Sequence, residues 1–193
     1  SLASIQWIRD NRPDLYKQTA CFGHSNTYVA RWLTGELAID PSSASLTALY
    51  NTTTNDLTWN AGIASEIGIE LDRLPRLIPS AASAGRVRDS LARELGLERR
   101  PPVIIGGNDA ALAAYSAGCN EPGQVINVNG TCEITLVCLG KCYPSPNYNI
   151  RAHVLPGRWL TLYVMNAGGK ALEWFHGVFC SEMSDREFFD EFL

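Results

Sequence analysis

The chain has 193 residues, 46% of them hydrophobic, and its 16 basic against 20 acidic side chains give a formal net charge of −4. That length can bury a substantial core in one or two domains, and the charge balance offers no basic field for nucleic acid or for an anionic membrane. No run approaches the ~18 apolar residues of a membrane-spanning helix and no basic-then-apolar leader opens the chain, so a cytoplasmic protein is expected. The six cysteines, Cys21, Cys119, Cys132, Cys138, Cys142 and Cys180, form no CxxC pair and no repeating framework. Small buried thiols are the expectation, and no metal site is assigned to them.

Residues 1 to 20 carry Leu2, Ile5, Trp7, Ile8 and Leu15 between charges, which predicts an amphipathic helix broken near Pro13. His24 to Leu33 reads as a second helix with Tyr28, Val29, Trp32 and Leu33 on its apolar face, ended by Thr34-Gly35. Asp40 and Ser43 follow as turn and capping groups at a small-residue helix start. A polar surface turn, 51 to 60, leads to a short helix over Ile63 to Leu71 and an extended, proline-pinned segment from Leu74 to Pro79. Ser80 to Gly85 reads as a small-residue turn, and Arg86 to Leu97 as a charged surface helix.

The stretch from Pro101 to Cys142 carries the chemistry. Val103, Ile104 and Ile105 predict a short buried strand that Gly106-Gly107 ends, and Asn108-Asp109 opens a helix over AALAAYSAG that closes at Gly118. Asp109 therefore stands at or beside the N-cap, where backbone N–H groups favour negative charge. Gln124 to Asn129 and Glu133 to Leu139 are strand-like, and Asn129-Gly130 predicts a tight hairpin turn with positive φ at its centre. Such a turn aims amide N–H groups and the Thr131 hydroxyl at one point, an arrangement suited to phosphate. Pro122-Gly123 is the candidate domain boundary. Beyond a loop from Tyr143 to Asn149, Val154-Leu155 and Trp159 to Met165 predict strands that complete an antiparallel sheet. Asn166 to Gly169 then turns into a helix over Lys170 to Phe179.

GGNDAALAAYSAG, GQVINVNGTCEITLV and VMNAGGKALEWF, in this order and spacing, resemble successive motifs of the FGGY carbohydrate kinases. The opening SLASIQWIRDNRPDLYK, then RWLTGELAIDPSSAS and the Trp59 to Pro75 segment resemble the middle portion of the same family. The resemblance runs along nearly the whole chain, while the chain spans only part of the family's length. It implies an α/β, actin-like (ribonuclease H-like) ATPase fold of sugar kinases in part: residues 1–122 as the end of the first domain and 123–193 as the start of the second. It implies Asp109 as the catalytic base, Asp109 and Asn108 as substrate contacts, and Gly130, Thr131, Gly168 and Gly169 against the nucleotide, with ATP and Mg2+ as cofactors. The substrate it implies is a sugar or polyol, most closely a pentulose such as xylulose. The oligomeric state is left open, a homodimer included.

The sequence departs from the family at three places. Ala110 stands where glycerol and xylulose kinases usually carry an amide, Cys132 where a serine is common, and Leu172 where glycerol kinases have an amide. The family's first phosphate loop and its adenine-gripping glycine loop match nothing in these residues, so the 193-residue piece alone is expected to have little or no kinase activity. The alternative reading is a non-catalytic module of the same fold that binds a ligand or a partner.

Overall fold

The computed structural model of the chain describes residues 1–130 and 132–192. Helix α1 (Leu2–Asn11) is capped by the Ser1 hydroxyl, which accepts the Ser4 N–H, and gives way to α2 (Pro13–Gln18) at the expected proline. Pro13 is tolerated there because the first helical position has no N–H partner to lose. Ile5 and Tyr16 from these helices close over Leu49, Ala64, Ile69 and Leu74. Arg73 ties the layer together: its guanidinium donates to the carbonyls of Tyr16 and Thr19 at 2.7 and 2.9 Å, lies 4.9 Å from the Tyr16 ring centroid, and pairs with Glu70.

Helix α3 (Ser25–Thr34) ends at Gly35, whose φ of +90° is the left-handed stop that glycine accepts at least cost. Its packed side is not the aromatic one. Tyr28, Val29 and Trp32 are exposed, while Thr27 and Ala30 are buried. The small Ala30 lets the helix lie close to Ala38, Ile78, Ala84 and Ile105, an approach that bulky side chains would prevent.

Strand β1 (Ala38–Ile39) runs parallel to β2 (Arg76–Leu77), and between them lie α4 (Pro41–Ala44), a 3-10 turn at Ser45–Thr47 and α5 (Ala61–Ile67). Strand β3 (Ser83–Arg86) occupies part of what reads as a small-residue turn and pairs antiparallel with β4 (Pro102–Ile104), while α6 (Asp89–Glu94) spans the connection. The strand expected to be buried is thus one of a pair, with Ile104 exposed and only Ile105 beyond it enclosed.

Helix α7 (Asp109–Ser116) precedes a four-stranded antiparallel sheet of β5 (Val125–Asn129), β6 (Glu133–Leu139), β7 (Asn149–Ala152) and β8 (Trp159–Met165), in the order β5-β6-β8-β7. Val154-Leu155 lies outside any strand; its place in the sheet is taken by β7, just upstream. Ala111 and Ala114 of α7 pack with Cys119 on Leu136, Cys138, Leu160 and Leu162. Alanine on one side and branched apolar residues on the other let helix and sheet meet without a gap. The sheet also reaches back: Ala152 shares a cluster with Ile39, Ala44 and Tyr50, its N–H donates to Ser45 Oγ at 3.1 Å, and Trp159 Nε1 donates to the Thr52 carbonyl at 2.6 Å.

The β5–β6 hairpin differs from the expected tight turn. Asn129 pairs with Glu133, so the connection runs over three residues, 130 to 132, and neither Asn129 nor Gly130 is in the left-handed region. Because Asn129 still belongs to the ladder, it has no need of the positive φ that a two-residue turn would demand. Helix α8 (Gly168–Phe179) follows, and a short π-helical segment, Glu187–Phe192, brings Phe188 over the His176 ring at 4.6 Å. Among the described residues no helix is long and apolar enough to cross a membrane.

Candidate active site

The strand β4 delivers the chain to a turn, Gly106-Gly107-Asn108, and α7 begins on Asp109. Gly106 adopts φ +72°, which favours glycine. A Cβ on Gly107 would stand 2.4 Å from Val154 Cγ1 and 3.0 Å from Ser42 Oγ, so packing alone excludes any larger residue there. Asn108 is the N-cap by its extended backbone, but its side chain makes no capping bond. Its N–H instead donates to Ser42 Oγ at 2.9 Å. Asp109 is the first helical residue; its carboxylate is exposed and accepts the Ala110 N–H at 2.7 Å.

Two basic groups belong to this neighbourhood. Arg151, half-buried on β7, is pushed down from the ordinary arginine value by burial, against the opposing pull of the Asp109 charge. His24 at the start of α3 is lowered by burial, with Asp40 and Arg151 acting on it in opposite directions. Nothing local in the sequence marks Arg151 as lying within range of the charge of Asp109, forty-two residues upstream. Its one signal is an arginine set between Ile150 and Ala152 in a short strand.

The expected nucleotide residues form a second group. The Gly169 N–H donates to the Gly130 carbonyl at 3.0 Å, which joins the β5–β6 turn to the start of α8. Gly168 is pressed against Glu133: an added Cβ would lie 2.8 Å from Glu133 Cβ and 3.1 Å from its backbone nitrogen. Glu133 is itself steadied by Asn127 Nδ2, which donates to its Oε1 at 2.7 Å. Helix α8 has no side-chain cap at Ala167, and the Gly169 N–H of its first turn is given to the Gly130 carbonyl. Thr131 lies outside the described residues.

Asn108 and Asp109 are therefore neighbours on one turn, and Gly130, Gly168 and Gly169 meet at another. Among the described residues no hydrogen bond or ion pair joins the two groups directly. They are linked through α7, which packs on the sheet that carries Gly130. No cluster of three or more His, Cys, Asp or Glu among the described residues could hold a metal ion. Burial raises the thiols of Cys119, Cys138 and Cys142 above the usual value.

A family model described as the N-terminal domain of the FGGY family of carbohydrate kinases matches residues 1–116. The chain belongs to the FGGY family of carbohydrate kinases. An autoinducer-2 kinase from Yersinia enterocolitica is 31% identical to this FGGY chain over 184 residues, which is 94% of the chain and 34% of that relative. The crystal structure of a xylulose kinase from Rhodospirillum rubrum superimposes with a TM-score of 0.87 at 25% identity, covering 96% of this chain and 38% of that one. A glycerol kinase from Plasmodium falciparum solved with ADP, at 19% identity and a TM-score of 0.80, shares the fold over 92% of this chain and 37% of its own. The α/β, actin-like architecture of FGGY sugar kinases is thus present in part. The chain spans about a third of the length of the relatives it matches.

Proposed function

We propose that this chain is the central segment of a kinase that transfers the γ-phosphate of ATP to a hydroxyl of a small carbohydrate, with Asp109 as the general base. The observation that carries this reading is the exposed carboxylate at the first position of α7, on a turn whose neighbouring N–H groups are already engaged. In the reaction, Asp109 accepts the proton of the substrate hydroxyl as that oxygen bonds to the γ-phosphorus, and the bond to the ADP leaving oxygen breaks. Arg151 is proposed to contact the substrate, since it is half-buried, within range of the Asp109 charge and outside every ion pair among the described residues.

Gly130, Gly168 and Gly169, with Thr131, are proposed to line the nucleotide phosphates. The start of α8, which has no side-chain cap and is joined to the Gly130 turn, fits that role, because the positive end of a helix favours a phosphate. The described residues form no metal cage of their own, so Mg2+ would be held chiefly by the phosphates with one or two carboxylates. The division at residue 122 remains our proposal for where one domain gives way to the next, with α7 packed on the sheet of the second.

Xylulose is the first substrate proposed, supported by the fold shared with xylulose kinases at 25–26% identity. The autoinducer-2 ligand is the second, supported by relatives of that name at 29–31% identity. A full-length protein carrying this segment, assayed for ADP release against xylulose, glycerol, gluconate and autoinducer-2, decides between them; no ADP release with any of these would overturn the kinase reading. The 193-residue piece in the same assay is expected to give no sugar-dependent turnover.

A further inference from the structure

Asp40 is completely buried, yet among the described residues no ion pair reaches it. A carboxylate removed from water without a cation is costly unless hydrogen bonds surround it. Five donors do so. Asp40 Oδ2 accepts the N–H groups of Ser42 and Ser43 at 2.9 and 3.3 Å, the Ser42 hydroxyl, and the Ser80 hydroxyl at 3.3 Å; Oδ1 accepts Asn26 Nδ2 at 3.0 Å. Capping the four residues of α4 would need only the first two. The other three reach into α3, into α4 and into the segment after β2.

Two of these partners hold the turn before Asp109. The Ser80 carbonyl accepts the Gly106 N–H at 3.1 Å, and Ser42 Oγ accepts the Asn108 N–H at 2.9 Å. A serine hydroxyl has one proton, and that of Ser42 is committed to Asp40, so its lone pairs are turned toward Asn108. Gly107, between the two grips, lies against the same hub: its added Cβ would be 3.4 Å from Asp40 Oδ2. One buried carboxylate thereby fixes the residues on both sides of the glycine and, through them, the first residue of α7.

We propose that Ser42, oriented by Asp40, is a positioning residue for the base Asp109. The inference rests on the reading of Asp109 given above. Its chemical content is orientation: the Ser42 oxygen holds the Asn108 amide, and the Asp109 carboxylate, one residue on, inherits that placement. Misplacement of a base by about 1 Å costs up to roughly 100-fold in rate.

The test uses a full-length kinase carrying this segment and compares Ser42→Ala, Ser42→Thr and Asp109→Asn. Ser42→Ala is expected to lower kcat by about 10- to 100-fold, with KM for ATP within about twofold of wild type. Ser42→Thr, which keeps the hydroxyl, is expected to restore most of the loss. Should Ser42→Ala not accumulate as folded protein, Ser80→Ala takes one donor from Asp40, leaves the Ser80 carbonyl on Gly106, and is expected to give a kcat-only loss of about fivefold. Wild-type kcat in these alanine variants, with Asp109→Asn inactive, overturns the positioning role. So does a loss that Ser42→Thr fails to restore and that extends equally to nucleotide binding. Wild-type turnover in Asp109→Asn overturns instead the assignment of the base.

Discussion

The turn before Asp109 and the turn at Gly130 are held by opposite means. Around Asp109 the Gly106 and Asn108 amides are both taken by groups that converge on Asp40, and Gly107 has no room for a methyl group. At Gly130 two backbone bonds among the described residues fasten the turn, from the Gly169 N–H to its carbonyl and from its own N–H to the Cys132 carbonyl, and an added Cβ would meet nothing nearer than that Cys132 carbonyl at 3.7 Å. The contrast suits the phosphoryl transfer proposed above: an atom that receives a proton gains from a fixed address, whereas groups that enclose phosphates gain from adjusting as a nucleotide arrives.

The largest effect should come from the fixed turn. In a full-length kinase, Asp109→Asn is expected to lower kcat by about 10²–10⁴-fold while nucleotide binding, followed by titration calorimetry, stays near wild type. Next comes Gly107→Ala, whose Cβ collides with Val154 and is expected to destabilise the chain by about 1–3 kcal/mol in urea melts. Adding Val154→Ala should recover part of that cost. If Gly107→Ala is silent, the turn is less tightly enclosed than its geometry states.

A smaller effect should follow pH. His153 is buried, its Nδ1 accepts the Leu155 N–H and its Nε2 faces the Cys119 carbonyl just beyond α7. Burial lowers its pKa, with Arg158 adding to that direction and the Cys119 carbonyl opposing it. A histidine lowered on folding contributes stability that is present above its unfolded value near 6.5 and is lost as pH falls toward the folded value. The midpoint of thermal unfolding should therefore drop between pH 7.5 and pH 5.5. His24 shifts in the same direction, so the drop should shrink but persist in His24→Asn. Smallest of all, Gly130→Ala should change stability by less than about 0.5 kcal/mol. A larger loss there than at Gly107 would invert the comparison.

The Asp109 turn was legible in the sequence because its signals are local: a β-branched run, two glycines and an alanine-rich helix that Gly118 closes. What could not be read was everything that grips the turn from outside. Ser42, Ser80 and Asn26 look like ordinary capping and turn residues, and only the fold shows that they share one carboxylate. The exposed side of α3 was misread for a related reason. Hydrophobicity favours Tyr28 and Trp32 as the buried face, but close approach to β1 and β3 selects Ala30. Strand β3 was hidden by its small residues, which carry little strand preference of their own and gain it from pairing with β4. At the Gly130 turn the hairpin was read correctly and its inner geometry was not, because ladder pairing of Asn129 with Glu133 overrode a dipeptide preference.

Trp159 offers a use for the junction between the sheet and the earlier part of the chain. Its indole is shielded and donates to the Thr52 carbonyl, whereas Trp7, Trp32 and Trp174 are open to water. A variant that keeps Trp159 as its sole tryptophan should emit at short wavelength while that seam is closed, and shift to the red when solvent enters it. The chain thus carries a built-in optical gauge, readable without any attached dye, of whether its two portions stay seated on each other.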